Sequence, residues 1–285
     1  MTTMSGDAVR PRPPLFRALG AQEPPERVVV GGVAYDRLTI FKHDSWAATA
    51  LYGAGERRIT CKFNRMQPVF VIPMRWLGRA LARREAGFLD RLADVALVPE
   101  QLGPVTVDGR VAENAVARVF VDGEPFRDRA GIAPDFIAQL ERLLAEVHAR
   151  GIAYVDLHKR ENVIVDREGR PNLIDFQVSL GVGARWPWNG GLFRRLVALL
   201  QETDTYHVRK HHVRLYPEEF TPEARETYAQ PPGIIGAHRR VAKPFRRWRR
   251  ALLARLRVRD RSGMAHSEHE PEVAFRRDDG AGEGR

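Results

Sequence analysis

The chain has one cysteine among its 285 residues. An intrachain disulfide is excluded, and Cys61, on the apolar side of an alternating run, reads as a packing residue. No run of 18 apolar residues occurs, so no transmembrane helix is expected. The N-terminal residues carry no apolar signal segment, which makes a cytoplasmic location the expectation. No Gly-x-Gly-x-x-Gly stretch is present, so a glycine-rich loop cradling a phosphate is excluded.

Net charge is also missing from most of the chain. The formal charge is +10, and residues 239–261, with eleven Arg or Lys against one Asp, account for all of it. Phe245, Trp248, Leu252 and Leu256 recur there at spacings of three, four and four. The pattern predicts a basic amphipathic helix over 239–261. Such helices lie on anionic membrane surfaces, with Arg drawn to headgroups and Trp at the interface, here through residues 240–257. A helix packed on the rest of the chain with a solvated basic face fits equally. Nucleic acid is not an expected partner, because the apolar stripe needs burial that a nucleic-acid contact does not provide.

Apolar residues make up 44% of the chain, enough for one sizeable core. Residues 1–27, with Arg10-Pro-Arg-Pro-Pro14 and Glu23-Pro-Pro25, and residues 262–285, polar and Gly-rich, are expected to be disordered. Between them, Arg37–His43, Ala47–Tyr52 and Arg57–Phe63 read as strands, joined by Asp44-Ser-Trp46 and Gly53-Ala-Gly55-Glu56. In the third strand Ile59, Cys61 and Phe63 alternate with Arg58, Thr60 and Lys62, which puts Lys62 opposite the apolar set. Trp76–Leu92 has helical periodicity, with Glu85 its first acid. Phe136–Arg150 reads as a second helix, burying Phe136, Ile137, Leu140, Leu143, Leu144 and Val147.

The most informative stretch is Tyr154-Val-Asp-Leu-His-Lys-Arg-Glu-Asn162, followed by Leu173-Ile-Asp-Phe176. Val163-Ile-Val165, the turn Asp166–Pro171 and Asn172-Leu-Ile174 predict a β-hairpin. A hairpin brings its ends together, so Asp156 and Asn162 at its mouth face Asp175 at its exit. Three oxygen-bearing side chains converging there suit a hard cation such as Mg²⁺ and the phosphates it carries.

These residues resemble the catalytic core of the protein-kinase-like superfamily, with its Asp-Leu-x-x-x-Asn loop and Asp-Phe-Gly metal motif. The likeness is greatest to small bacterial kinases of the lipopolysaccharide core-sugar, RIO and aminoglycoside-phosphotransferase kind. It covers residues 134–177 and extends back to about residue 37, with little beyond residue 180. The resemblance implies an α+β, bilobal fold: an N-lobe (28–124) of antiparallel sheet plus one helix, and a mainly helical C-lobe (125–238), hinged at Asp122-Gly-Glu-Pro125. It implies that Asp156 is the catalytic Asp beside the acceptor hydroxyl and that Asn162 and Asp175 hold Mg²⁺. Lys62, fixed by Glu85, would reach the phosphates of ATP, and the Asp44–Trp46 turn would cover them.

Three departures stand out. Tyr154-Val155 replaces the His-Arg before the catalytic Asp, which argues against control by a phosphorylated activation loop. The Asp156-to-Asn162 spacing is one residue longer than the usual five, so the loop must bulge. Gln177 replaces the Gly of Asp-Phe-Gly. The expected activity is transfer of the γ-phosphoryl of ATP to a hydroxyl of a sugar, a lipid-linked sugar or another small acceptor. The alternatives are a pseudokinase serving as a membrane-surface binding module and a protein Ser/Thr kinase. Location is expected in the cytoplasm, peripheral on the inner face of the membrane if the basic helix binds there. The cluster Asp204, His207, His211 and His212 lies at helical spacings and reads as a partly exposed helix rather than a metal site. His43-Asp44-Ser45, adjacent in sequence, carries no catalytic meaning.

Overall fold

A computed structural model describes residues 13–69, 72–228 and 230. The chain is α+β, with a seven-stranded antiparallel sheet and four α-helices among the described residues. It divides into two compact units. The first holds residues 13–82 and 103–117, and the second holds 83–102 and 118–228.

The first unit is built on β1 (Arg27–Val30), β2 (Val33–His43), β3 (Ala47–Ala54) and β4 (Arg57–Asn64), which follow one another as antiparallel neighbours. With β5 (Val105–Val107), β6 (Arg110–Val111) and β7 (Ala115–Val119), the spatial order is β6-β5-β1-β2-β3-β4-β7. The predicted strands 37–43, 47–52 and 57–63 thus fall within β2, β3 and β4. On β4 the alternation holds for Ile59, Cys61 and Phe63, all buried, but Thr60 is buried as well, so the opposite face is covered at that point. Ala48 and Ala50 of β3 have poor strand propensity. Both are fully buried, Ala48 opposite Phe63 and Ala50 opposite Cys61 on β4.

Residues 13–26 correct the expectation of disorder through residue 27. Pro14–Phe16 forms a 3₁₀ turn, and the Ala18 amide donates to the Asp44 carbonyl at 2.7 Å. Arg65 is buried and donates to the carbonyls of Ser45 (2.6 Å), Leu15 (2.8 Å) and Pro68 (3.1 Å). Arg17 pairs with Glu23 and lies 2.9 Å from His43 Nδ1. The segment has little apolar surface of its own; it is held by polar bonds to distant residues, among them Arg65 on Leu15 O and Arg37 on Pro24 O, and composition does not register that. The same bonds fix the Asp44–Trp46 turn. Asp44 Oδ1 accepts from the amides of Trp46 (2.7 Å) and Ala47 (3.0 Å), and Ser45 Oγ donates to Phe16 O at 2.9 Å. His43 therefore has a structural place in this clamp.

α1 (Arg75–Arg91) passes from the first unit into the second. The second unit then contains β8 (Gly123–Pro125), α2 (Phe136–Ala149), β9 (Ile152–Ala153), β10 (Val163–Asp166), β11 (Pro171–Leu173), β12 (Leu180–Gly181), α3 (Gly191–Leu215) and α4 (Pro222–Tyr228). α2 buries the six residues that periodicity selects: Phe136, Ile137, Leu140, Leu143, Leu144 and Val147. The predicted hairpin is β10–β11, in register Val163↔Leu173 and Val165↔Pro171.

The Asp122–Pro125 segment is a correction too. Gly123–Pro125 is a strand rather than a free linker: it is β8, an edge strand paired with β10 through Ile164↔Pro125 and Asp166↔Gly123. Division between the units falls at 117/118 instead. Pro at the edge of a short sheet costs no ladder bond, which is why so turn-like a sequence can pair. A Cβ at Gly123 would be driven into the Val165 carbonyl, a backbone group that cannot swing aside. Gly123→Ala is expected to destabilise the second unit by about 3 kcal/mol, seen as a lower midpoint in urea unfolding. An unchanged midpoint would refute the β8–β10 pairing.

Among the described residues no helix is long and apolar enough to cross a membrane. The predicted basic helix 239–261 and the tail 262–285 lie outside the described residues.

Candidate functional site

β9 leads into Tyr154-Val-Asp156, the start of the candidate loop. Val155 has φ of 72°, an unusual value for a β-branched residue. Conformations of this kind cost about 1–3 kcal/mol and persist only where surrounding bonds impose them. Here the imposing group is Asp204, fully buried on α3. Its Oδ2 accepts from the Tyr154 amide at 2.7 Å and its Oδ1 from the Val155 amide at 2.8 Å, and His148 Nε2 lies 3.3 Å from Oδ2. Burial pushes the Asp204 carboxyl above the ordinary aspartate range, against the opposing pull of His148 and the two amides. Two turns further along α3, His211 Nε2 donates to the Leu157 carbonyl at 2.9 Å. Burial lowers the His211 pKa, consistent with a neutral ring donating from Nε2.

Asp156 and Asn162 are both buried and in contact: Asn162 Nδ2 is 3.1 Å from Asp156 Oδ2 and 3.4 Å from the Asp156 carbonyl. The extra residue between them is absorbed by two successive turns. Lys159 N donates to Asp156 O, and Asn162 N to Lys159 O, the second closing a 3₁₀ turn over Arg160–Asn162. The Asp156 carboxylate also meets two side chains of its own loop, the Lys159 ammonium with Nζ at 2.6 Å from Oδ2 and the His158 ring with Nδ1 at 3.3 Å from Oδ1.

Asp175 follows the hairpin. The Ile174 amide donates to the Asn162 carbonyl at 3.0 Å, which sets Asp175 one residue from that bond. Asp175 is half-buried and left-handed, with φ of 64°. Tyr154 ties the two ends together. Its hydroxyl donates to the Ile174 carbonyl and its ring meets Phe176 edge-on at 5.1 Å. Burial holds the Tyr154 phenol well above the ordinary tyrosine range, helped by the charges of Asp175, Asp156, Asp204 and Glu85. It stays protonated and keeps donating.

Glu85 is buried in the part of α1 that belongs to the second unit. That part is fastened there by Arg84, which donates to the Ser179 carbonyl, and by Arg91, which donates to the Arg150 carbonyl at 2.7 Å. Lys62 lies half-buried on β4, opposite Thr49, in the first unit.

No three of His, Cys, Asp and Glu gather as a metal site among the described residues. Asn162 and Asp175 offer an amide oxygen and a carboxylate. Asn162 spends its Nδ2 on Asp156, which leaves Oδ1 as an acceptor. That donor chemistry fits Mg²⁺, which takes one or two protein oxygens and fills its other positions with water and substrate phosphate.

Sequence reasoning passed over four groups. His158 and Lys159 stood in plain view two and three residues after Asp156. Asp204 was grouped with the histidines of a partly exposed helix. It and His211 are instead buried, and both hold the loop from about 50 residues away. Compared with known proteins, the chain matches no family model and no curated protein.

Proposed function

We propose that this protein is a kinase-like, bilobal phosphotransferase that moves the γ-phosphoryl group of ATP to a hydroxyl of a sugar, a lipid-linked sugar or another small acceptor. The observation that carries the reading is the joined pair Asp156–Asn162, with the exit of the hairpin bonded to the Asn162 carbonyl. Asp156 would orient the acceptor hydroxyl and take up its proton. Asn162 and Asp175 would hold Mg²⁺, which when bound would neutralise phosphate charge. Lys159, now on Asp156, is long enough and exposed enough to turn to an incoming phosphate. Lys62, positioned by Glu85 as the resemblance implies, would face the α- and β-phosphates.

The test is Mg²⁺-dependent turnover of labelled ATP over a panel of sugars, lipid-linked sugars, small hydroxyl metabolites and generic protein substrates. Lys62→Met keeps the side-chain stem and removes the charge, so the fold should stand while turnover falls by about two orders of magnitude or more. Glu85→Gln should give a smaller loss in the same direction, because it acts through Lys62. Full activity of Lys62→Met would remove Lys62 from the site.

A non-catalytic reading has one observation in its favour: Lys159 and Asn162 already occupy the Asp156 carboxylate. ATP binding without turnover against the whole panel would establish that reading, and turnover would dispose of it.

A further inference from the structure

Asp175 and Glu202 bracket a stretch without a single acid. It contains the loop after β12 and the first turns of α3, and four of its large apolar side chains there face outward while Val197 is buried. Trp186 and Leu192 are 82% and 84% exposed, and Trp188 and Leu196 are exposed as well. Trp186, Leu192 and Leu196, together with Pro187 and Leu199, line an open pocket of about 640 Å³.

The loop is held in shape. Gly183 N donates to Trp188 O (3.0 Å), Gly190 N to Pro187 O (3.1 Å) and Arg194 Nε to Asn189 O (3.0 Å), while Trp188 packs edge-on against Phe193 at 5.1 Å. Arg185, Arg194 and Arg195 rim the patch, all exposed, and none has an ion pair among the described residues. A fixed loop that displays two indoles and a leucine to solvent is not how a monomer ordinarily finishes its surface.

We propose that this patch, residues 184–196, docks on an anionic membrane surface. Indole rings settle at the boundary between headgroups and acyl chains, leucine enters the acyl layer, and guanidinium groups pair with lipid phosphates. The patch supplies all three and carries no acid to oppose them. Its charge also disfavours the other occupants. Residues 239–261 of the same chain would bring eleven cations against three arginines, and a second copy presenting the same patch would bring like charge to like. The inference does not rest on phosphotransfer, since lipid binding is read without ATP.

The full chain is to be co-sedimented with vesicles of phosphatidylcholine alone and of phosphatidylcholine with phosphatidylglycerol, at low and high salt. The wild-type protein is expected to bind the anionic vesicles and to release them as salt screens the arginines. Trp186→Ser with Leu192→Ser should weaken that binding about tenfold or more, with an unchanged melting temperature because both side chains are exposed. Arg194→Glu with Arg195→Glu should weaken it and flatten the salt dependence, and it answers the question alone if the serine variant is unstable. Undiminished binding by these variants would assign the membrane contact elsewhere in the chain and overturn the proposal. So would a wild-type protein that ignores anionic vesicles, or one whose patch instead holds two copies together in sedimentation velocity.

Discussion

Asp175→Asn is expected to abolish phosphotransfer while leaving a folded protein. Asp175 sits in the left-handed region at φ of 64°, and Asn is among the few residues that adopt that conformation readily. The swap is nearly isosteric, so the hairpin exit and the bond from Ile174 N to Asn162 O should persist. What is lost is the anionic oxygen on which the proposed Mg²⁺ site depends. Losing a metal's charge stabilisation at the transition state is worth about 4 kcal/mol, roughly a thousandfold in rate. The checks are turnover of labelled ATP, circular dichroism and Mg²⁺-dependent ATP binding. Full turnover in a well-folded variant would remove Asp175 from the proposed mechanism.

The sequence is most legible where a local period meets a local stop. β2, β3 and β4 are alternating runs separated by short turns, and they form neighbours because antiparallel strands joined by such turns have nowhere nearer to pair. The buried face of α2 follows from spacing alone, since a 3.6-residue repeat admits one apolar stripe. The approach of Ile174, next to Asp175, to Asn162 follows from the β10–β11 hairpin, whose turn Asp166–Arg170 is closed by Asp166 accepting from the Arg170 amide at 2.8 Å.

Other parts depend on bonds between distant residues and leave no local trace. Residues 13–26 look disordered until Arg65, about 50 positions away, donates to Leu15 O. Gly123–Pro125 looks like a linker until Ile164 and Asp166 pair with it. Asp204 lies near three histidines within a polar stretch, and nothing nearby announces that its two oxygens meet the amides of Tyr154 and Val155. The exposed Trp186 and Trp188 escaped notice for a different reason: periodicity locates buried faces and is silent about apolar residues left outside.

Replacing Asp204 is expected to have the largest effect of any change outside the residues proposed to touch substrate. In Asp204→Asn the amide oxygen can serve one of the two backbone donors, while the new amino group is turned on the other. Donor then faces donor in a site with no access to water, and His148 loses its acceptor. Leaving one or two buried amides unsatisfied costs about 2–4 kcal/mol. Out of a total stability of about 5–15 kcal/mol, that is a large share, and it should lower the melting temperature by several degrees. The same bonds hold Val155 in its left-handed conformation, so their loss should also let Asp156 swing away from Asn162. Measured well below the melting temperature, turnover should fall while ATP affinity changes little, because the nucleotide contacts proposed for Lys62 lie outside this clamp. A variant that is less stable but turns over normally would make Asp204 a packing residue with no hold on the loop. A fall in turnover at preserved ATP affinity, absent from an equally destabilising change such as Leu140→Ala in the core of α2, would establish it as the positioning residue.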